Sequence, residues 1–352
     1  MKKQLLRHLA AASVAVVAAF GAASAHADEV RYTAGSIAEG STPFLVNTAW
    51  ANAVNKYVPG YKITVSTVGP ATRHMILTAT GKMDFTMSTP NSHRLLYLQM
   101  AYFSKIKDGP KLAAALNSIF SYPIGVTQII ARADSGIKTL ADIKGKKVFM
   151  GPPSSGAART MDVIIRSHTG LEAGKDFEQV KTDWGPAMQG FQDRKFDVMV
   201  VLAAPPSTGI EQILLTDKLR MLSLEKEKFD NPIWKALARE PGRAVTAIDA
   251  KKVYGPNMVN EEPVLATSSW VELACRYDLP EDAVYKMTKA FWEHLDEAHA
   301  MAKVMPDVVN LKNAIYAMSS RIHPGALKYY KEIGLNPTSF IMTPENAEEF
   351  RF

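Results

Sequence analysis

Cysteine is almost absent from this 352-residue chain, in which Cys275 stands alone. A single cysteine excludes an internal disulfide. In "WVELACRYDLP" its neighbours are largely apolar, a setting in which cysteine acts as a small hydrophobe, although a thiol nucleophile is the alternative. The chain also lacks the G-x-S-x-G, H-E-x-x-H, C-x-x-C and EF-hand patterns. We therefore expect no catalytic residue, no metal and no cofactor.

Long apolar runs are missing after residue 27, so the mature chain is expected to be soluble. Before that point, Lys2, Lys3 and Arg7 precede an apolar segment, and an A-x-A cleavage site ends at Ala27. These features predict a secretory signal peptide over residues 1–27 and a periplasmic protein. A membrane anchor is the alternative, but the apolar run is shorter than the roughly 20 residues that a span needs.

A strong charge of either sign is absent as well. The formal net charge is +6 for the whole chain and +3 after residue 27, because the first 27 residues contain three basic and no acidic side chains. Lys and Arg form no stripe of the kind that binds a phosphate backbone. We expect no nucleic acid partner, and the mild positive balance suits a small anion.

The order of apolar and amphipathic segments predicts an α/β fold with mostly parallel strands. One series of elements runs from "EVRYTAG" to "MDFTMST", a second from "QIIARAD" to "FDVMVVLA", and the last third is predicted to be mainly helical, with one helix over 279–305. Asp84 and Asp197 precede the final strand of each series. We interpret them as structural rather than as paired catalytic carboxylates. Length and this repetition predict two lobes with a ligand cleft between them.

The loop "GPPSSGAART", residues 151–160, has the glycine spacing of a phosphate-binding loop, but Ala157 and Ala158 replace its Lys and Ser/Thr. Nucleoside triphosphate hydrolysis therefore does not fit. Backbone N–H groups at the start of the following helix, with the hydroxyls of Ser154 and Ser155, predict a site for a smaller anion. The alternative is a plain turn in which Ser155 caps the helix.

A second loop, "AGSIAEGSTPF", combines Gly40 with the hydroxyls of Ser36, Ser41 and Thr42. The glycine permits a close backbone approach to a ligand, and a polar strand-to-helix loop is the alternative.

Arg73 and Arg159 lie near helix starts in matching positions of the two series. A guanidinium can grip a carboxylate through two hydrogen bonds, and a solvated surface arginine is the alternative. Trp184 follows an apparent strand and either covers a ligand or packs under Pro186.

Several segments resemble the TAXI family, the TRAP-associated extracytoplasmic solute receptors. "ADSGIKTLADIKGKKVFMGPPSSGAART" is similar to its second-lobe stretch "L-x-D-L-K-G-K-x-V" and the loop "G-P-P-G-S-G-T", and "FQDRKFDVMVVLAAPPSTGIEQIL" to its "G-K-x-D-A" strand and "G-x-P" loop. "LPEDAVYKMTKAFWEHL" is similar to its late helix. "RIHPGALKYYKEIGL" is similar to its C-terminal "H-P-G-A-x-x-Y-Y" segment, the most specific of these motifs.

The resemblance implies a two-lobed periplasmic binding protein fold of type II character, each lobe a mostly parallel sheet flanked by helices. It implies lobe 1 over 28–124, lobe 2 over 125–245 and a return to lobe 1 over 246–352, with hinge crossings near 122–130 and 240–265. The expected function is to bind a small anionic solute, a carboxylate or a glutamate-like amino acid, as a monomer. The expected partners are the membrane subunits of a TRAP-type secondary transporter.

The chain departs from the family at the loops expected to touch the solute. Serine and threonine replace the tyrosines of the first loop, Thr72-Arg73-His74 adds positive charge at a helix start, and Thr89-Pro90-Asn91 replaces "Q-S-D/N". We expect Arg73 to compensate by gripping a carboxylate. The predicted ligand-binding residues are Ser36, Gly40, Ser41, Thr42, Arg73, Thr89, Asn91, Ser154, Ser155, Gly156, Ala157, Arg159, Trp184, Pro206 and Thr208.

Two alternatives remain open at this point. One is a binding protein that serves an ATP-driven transporter or a sensor. The other is an exported enzyme on the same scaffold that uses Asp84, Asp197 or Cys275.

Overall fold

The computed structural model of the protein describes residues 29–240, 242–338 and 343. The predicted signal peptide, residues 1–27, lies outside this part. The strands are β1 Val30–Gly35, β2 Tyr61–Ser66, β3 Phe85–Ser88, β4 Leu116–Arg132, β5 Lys147–Phe149, β6 Glu178–Gln179, β7 Val198–Ala203, β8 Leu219–Met221, β9 Ala244–Ile248 and β10 Val264–Arg276.

The α-helices surround these strands, and none within the described ranges has both the length and the apolar character needed to cross a bilayer. They are α1 Thr42–Tyr57, α2 Ala71–Ala79, α3 Pro90–Tyr97, α4 Gly109–Ala114, α5 Gly156–Thr169, α6 Trp184–Gln192, α7 Thr208–Leu214, α8 Pro232–Ala238, α9 Ala250–Tyr254, α10 Glu281–Glu293, α11 Leu295–His299, α12 Met305–Val308, α13 Leu311–Ala314 and α14 Pro324–Glu332.

The strands form one mixed sheet in the order β2-β1-β3-β10-β4-β7-β5-β6, with β8 beside β4 and β9 beside β10. The predicted α/β class is confirmed. Strand β1 is parallel to β2 and β3, and β5 is parallel to β6 and β7. The long strands β4 and β10 are antiparallel to each other and to their other neighbours. They join the two parallel ends of the sheet.

Strand β10 is the largest difference from the expected order of elements, because it lies at the centre of the sheet within the third of the chain predicted to be mainly helical. Its residues are buried or half-buried on both faces. A strand covered on both sides loses the alternation of polar and apolar residues that identifies a strand in a sequence. The helix predicted over 279–305 is also interrupted, since His294 leaves helical geometry between α10 and α11.

Asp84 and Asp197 have matching structural roles. Each stands immediately before a strand, β3 or β7, and its carboxylate accepts a hydrogen bond from the backbone of a neighbouring part of the sheet. Thr33 N donates to Asp84 at 2.8 Å and Lys147 N donates to Asp197 at 2.7 Å. The two carboxylates therefore anchor the first residues of β3 and β7 to neighbouring strands. This agrees with the structural role expected for them from the sequence.

Cys275 lies in β10 and is fully buried. Burial raises the pKa of its thiol well above the ordinary value, so the group stays protonated at neutral pH. A thiolate nucleophile does not fit this position.

The C-terminal "HPGA" motif joins α14 to α10. His323 Nδ1 accepts from Gly325 N at 3.2 Å, and its Nε2 lies 3.2 Å from Leu279 O. One nitrogen must accept while the other donates, so the buried imidazole is neutral. Gly325 permits close packing, since a Cβ there would lie 2.3 Å from Glu281 O. The motif is thus a helix cap and a contact between two helices.

This neutral histidine predicts a loss of stability in mild acid. Burial lowers the pKa of His323, whereas an unfolded histidine takes up a proton near pH 6.5. Below that pH the unfolded chain binds more protons than the folded protein, so the free energy of unfolding falls until the folded pKa is reached. His323→Asn, which keeps a capping side chain without the titration, should flatten the slope between pH 7.5 and 5.5 in urea unfolding. The difference is at most about 1.4 kcal/mol per pH unit, and parallel slopes would contradict the assignment.

Candidate ligand-binding site

One cavity lies where β4 and β10 pass between the two ends of the sheet, next to loops that follow β1, β3 and β5. Its volume is about 80 Å³. This is the edge at which α/β sheets hold ligands, outside the carboxyl ends of parallel strands. The lining residues are Ile37, Ala71, Thr72, Met87, Thr89, Asn91, Ser92, Tyr102, Ile124, Thr127, Ser155, Gly156, Ala157, Arg159, Thr160, Trp184, Leu202, Arg243 and Ser269.

Four helices begin at the wall of this cavity. The lining includes Ala71 at the start of α2, Thr89 at the cap of α3, Ser155 at the cap of α5 and Trp184 at the start of α6. The first turn of a helix carries N–H groups without helical partners and the positive end of the helix dipole. Four such ends around one space give it a positive potential without a single charged side chain.

Two arginines add charge to the same wall and share one buried carboxylate. Arg159 and Arg243 line the cavity, and both contact Glu240, Arg243 at 2.8 Å. The Glu240 side chain is only 1% exposed. Arg243 also donates to Thr160 Oγ1 at 3.3 Å, and its Nε has no partner among the described residues. The three charged groups leave a net charge of +1 beside the cavity.

The side-chain oxygen of Asn91 is engaged by Arg94, so its amide nitrogen is the atom that can contact a ligand. Its Oδ1 accepts from Nε and Nη2 of Arg94, at 3.3 and 3.1 Å. A guanidinium only donates, so the atom facing it is the oxygen. The NH₂ group remains as a donor for a ligand.

The hydroxyls of Thr89, Ser92 and Tyr102 form a chain along the wall. Thr89 Oγ1 donates to Ser92 Oγ at 2.8 Å, and Ser92 Oγ lies 2.9 Å from Tyr102 Oη. When the Ser92 hydroxyl donates this hydrogen bond to Tyr102 Oη, the tyrosine hydroxyl can itself donate into the cavity. Burial raises the pKa of Tyr102, so that proton is retained at neutral pH.

The remaining wall is apolar. It is formed by Ile37, Met87, Ile124 and Leu202, together with the ring of Trp184. That ring is 4% exposed and packs edge-on against Phe149, and its Nε1 has no partner among the described residues. The cavity therefore offers one apolar side and one polar side, as small-molecule sites do.

Hydrogen bonds cross the edges of the cavity and hold the surrounding loops together. Thr72 Oγ1 donates to Ser154 O at 3.0 Å, and Gly69 N donates to Asp183 Oδ2 at 3.2 Å. Asp183 stands at the cap position of α6 but makes no capping bond to its own helix. A third bond links Ala204 N to Thr42 Oγ1 at 2.7 Å. These contacts bring the predicted loops of the two series face to face.

The structure places part of the predicted set on the cavity wall, and the binding role of all its members stays a prediction. Thr89, Asn91, Ser155, Gly156, Ala157, Arg159 and Trp184 line the wall. Ser155 also caps α5, as the alternative interpretation expected, because its Oγ accepts from Ala158 N at 3.1 Å.

The other predicted residues lie beside the cavity rather than on its wall. Gly40 and Ser41 line a smaller neighbouring cavity of about 10 Å³, and Thr208 packs against Gly40. Ser36 is fully buried after β1, Ser154 is exposed, and Pro206 follows β7. Thr42 makes the bond to Ala204 described above. Arg73 is exposed on the first turn of α2.

Sequence reasoning missed Arg243, Glu240, Tyr102, Thr127 and Ser269. Arg243 and Glu240 occur in "AREPGRAV", which matches no binding motif. The one signal was the Pro-Gly pair between them, which marks a turn. Thr127 and Ser269 lie in β4 and β10, whose paths through the sheet could not be foreseen.

Comparison with known proteins identifies the chain. A sequence model described as the NMT1-like family matches residues 34–334. The protein belongs to the NMT1-like family. The match covers all the cavity-lining residues, from Ile37 to Ser269.

Solved structures also resemble this NMT1-like chain, at low identity. A TRAP periplasmic solute binding protein from Ralstonia eutropha H16 with bound (S)-2-acetolactate is 11% identical, with 91% of this chain and 90% of that chain covered and a TM-score of 0.45. PhnD1 from Prochlorococcus marinus, in complex with methylphosphonate, is 12% identical over 87% and 97% of the two chains, with a TM-score of 0.47. A structure described as a periplasmic transporter is 17% identical over 91% and 92%, with a TM-score of 0.47.

Proposed function

We propose that the protein is an extracytoplasmic solute receptor that binds a small organic anion, a carboxylate, in the cavity described above. The observation that carries this proposal is the convergence of four helix starts with Arg159 and Arg243 on one partly enclosed space. Among the residues that the structure describes, no Asp or Glu belongs to the lining set of this cavity. Such a wall stabilises negative charge and disfavours positive charge.

The apolar side of the cavity favours an organic anion over an inorganic one. Arg159 and Arg243 bind a carboxylate group, while Ile37, Ile124, Leu202 and the Trp184 ring contact a carbon skeleton. A bare inorganic anion would leave this apolar side uncovered.

The resemblance to the TAXI family supports delivery of the solute to a TRAP-type transporter. In this proposal the parts of the chain on either side of the cavity act as two lobes that close on the solute through β4, β10 and the segment around 240–265. The bonds from Thr72 to Ser154 and from Gly69 to Asp183 would belong to the closed form. A neighbouring gene for a large multispanning permease supports a TRAP partner, whereas a neighbouring ATPase gene favours an ATP-driven one.

A ligand screen tests the binding proposal. Refolded protein, freed of any carried-over solute, is heated with a panel of carboxylates, sulfonates and phosphonates. Each carboxylate is paired with its neutral carboxamide. A ligand at 100 times its Kd adds about 2.7 kcal/mol to the free energy of unfolding, so a carboxylate should raise Tm clearly and its carboxamide should not. If no carboxylate stabilises the protein, the proposal fails, and a response confined to sulfonates or phosphonates would replace the carboxylate with another anion.

A further inference from the structure

The polar side of the cavity consists chiefly of hydrogen-bond donors. Arg243 Nε and Trp184 Nε1 are buried and have no partner among the described residues, and the side chains that carry them are at least nine-tenths buried. Asn91 also lines the space, and because its Oδ1 accepts from Arg94 its NH₂ group is the end that can donate to a solute. A buried donor without a partner costs free energy, so a solute that supplies acceptors to these groups would recover that cost.

The hydroxyls on the wall extend this pattern. Ser155 Oγ already accepts from Ala158 N, and Thr160 Oγ1 already accepts from Arg243. Each keeps a proton to donate. Tyr102 ends the hydroxyl chain from Thr89 and can donate in the same way.

Glu240, the acid that contacts both arginines of the wall, is not available to a cationic solute. Each oxygen of Glu240 contacts one of the two arginines, and its side chain is 1% exposed. An ammonium group in this space would meet two guanidinium groups and the starts of four helices, and no described carboxylate belongs to the lining set, Asp183 lying at the edge in a bond to Gly69 N. It would lose its hydration and gain no ionic partner.

We propose that the solute is an organic acid with acceptor oxygens and without an ammonium group, which makes α-keto and α-hydroxy acids better ligands than the corresponding α-amino acids. This inference rests on the proposed function and narrows it, because an amino acid is excluded from the solutes that the chain was expected to bind. The carbonyl or hydroxyl oxygen beside the carboxylate takes the place of the ammonium and accepts from the donors on the wall.

Matched pairs of acids test the inference by calorimetry on the refolded full-length mature chain. The pairs are pyruvate and alanine, 2-oxoglutarate and glutamate, 4-methyl-2-oxopentanoate and leucine, and phenylpyruvate and phenylalanine. Within each pair the side chain and the carboxylate are kept, and the keto group of one acid is replaced by CH–NH₃⁺ in the other. We expect the keto acid of at least one pair to bind and its amino partner to bind at least about a hundredfold more weakly, a difference that corresponds to twice 1.4 kcal/mol. If the screen yields a binder outside these pairs, that acid and its α-amino derivative form the test pair.

A variant that adds an acid to the wall provides a second readout. Ser269→Asp places a carboxylate at a half-buried lining position, while Ser268→Asp places one at the adjacent position of β10, outside the lining set. Successive side chains of a strand point to opposite faces, so the second variant is the matched control. Ser269→Asp should reduce the preference for the keto acid at least about tenfold, and Ser268→Asp should leave it unchanged.

The outcomes separate the two proposals. An amino acid that binds as tightly as its keto partner overturns this inference and leaves the receptor proposal intact. A preference that Ser269→Asp and Ser268→Asp change equally also overturns it, because the effect would not come from the cavity wall. If neither the pairs nor the wider carboxylate panel binds, the receptor proposal fails and this inference falls with it.

Discussion

Arg243→Ala is expected to weaken carboxylate binding by at least about a hundredfold, the largest loss for any single side chain of the site. The Arg243 side chain is 9% exposed and lines the cavity, and its Nε has no partner among the described residues. Removing a desolvated guanidinium that pairs with an anion costs about 2–5 kcal/mol, and each 1.4 kcal/mol is tenfold in Kd. Calorimetric titration with the best carboxylate of the screen measures the loss.

Arg73→Ala is the matched control, because it removes the same group from the exposed first turn of α2. The sequence nominated Arg73 as the residue that grips the carboxylate. The structure places Arg243 and Arg159 on the wall instead, so we expect Arg73→Ala to change Kd less than about threefold, the scale of a screened long-range charge. If Arg73→Ala weakens carboxylate binding strongly and Arg243→Ala does not, Arg73 is the residue that binds the carboxylate. Thermal unfolding of both variants without ligand separates lost binding from lost folding.

Glu240→Gln is expected to destabilise the solute-free protein by about 3 kcal/mol, the usual cost of removing one partner from a buried ion pair. The substitution leaves Arg159 and Arg243 facing each other without their shared counter-charge. Urea unfolding without ligand measures the change. Glu297→Gln is the control, since that carboxylate pairs with Lys56 on the surface and is half exposed, and its loss should be much smaller.

The same variant predicts a coupling between the carboxylate of the protein and that of the solute. A bound anion supplies the negative charge that Glu240→Gln removes, so the rise in Tm at saturating carboxylate should be larger in the variant than in the wild type. An equal or smaller rise would mean that Glu240 does not balance the charge of the binding site. The neutral carboxamide should not raise Tm in either protein.

The loop at residues 151–160 has the glycine spacing of a phosphate-binding loop but lacks its lysine. Gly151 adopts a φ of +106°, and a Cβ there would lie 2.6 Å from the Cβ of Ala157. The glycine thus serves the tight entry into α5 rather than a phosphate. The loop's contribution to the cavity is the helix start itself, with the hydroxyl of Ser155. Charge comes from Arg159 one turn later and from Arg243, far along the chain.

Local patterns were sufficient where the chain interacts with itself over short distances. The capping role of Ser155 follows from capping chemistry within a few residues. For the same reason the sequence found the helix starts that reach the cavity from α2 and α5. It also nominated Trp184, although only the fold shows that Nε1 of that ring has no partner among the described residues.

What the sequence by itself determined is the α/β class, the polar loops at the ends of strands and the family resemblance, because these depend on periodicity and on local motifs. Only the tertiary structure decided which polar groups meet. Strand β10 returns through the centre of the sheet and brings Ser269 to the cavity, and the turn before β9 brings Glu240 and Arg243 to Arg159. Residues 81 positions apart, as Arg159 and Glu240 are, become ionic partners through the packing of whole elements. No local pattern encodes that contact, since its free energy comes from burial that exists only in the assembled fold.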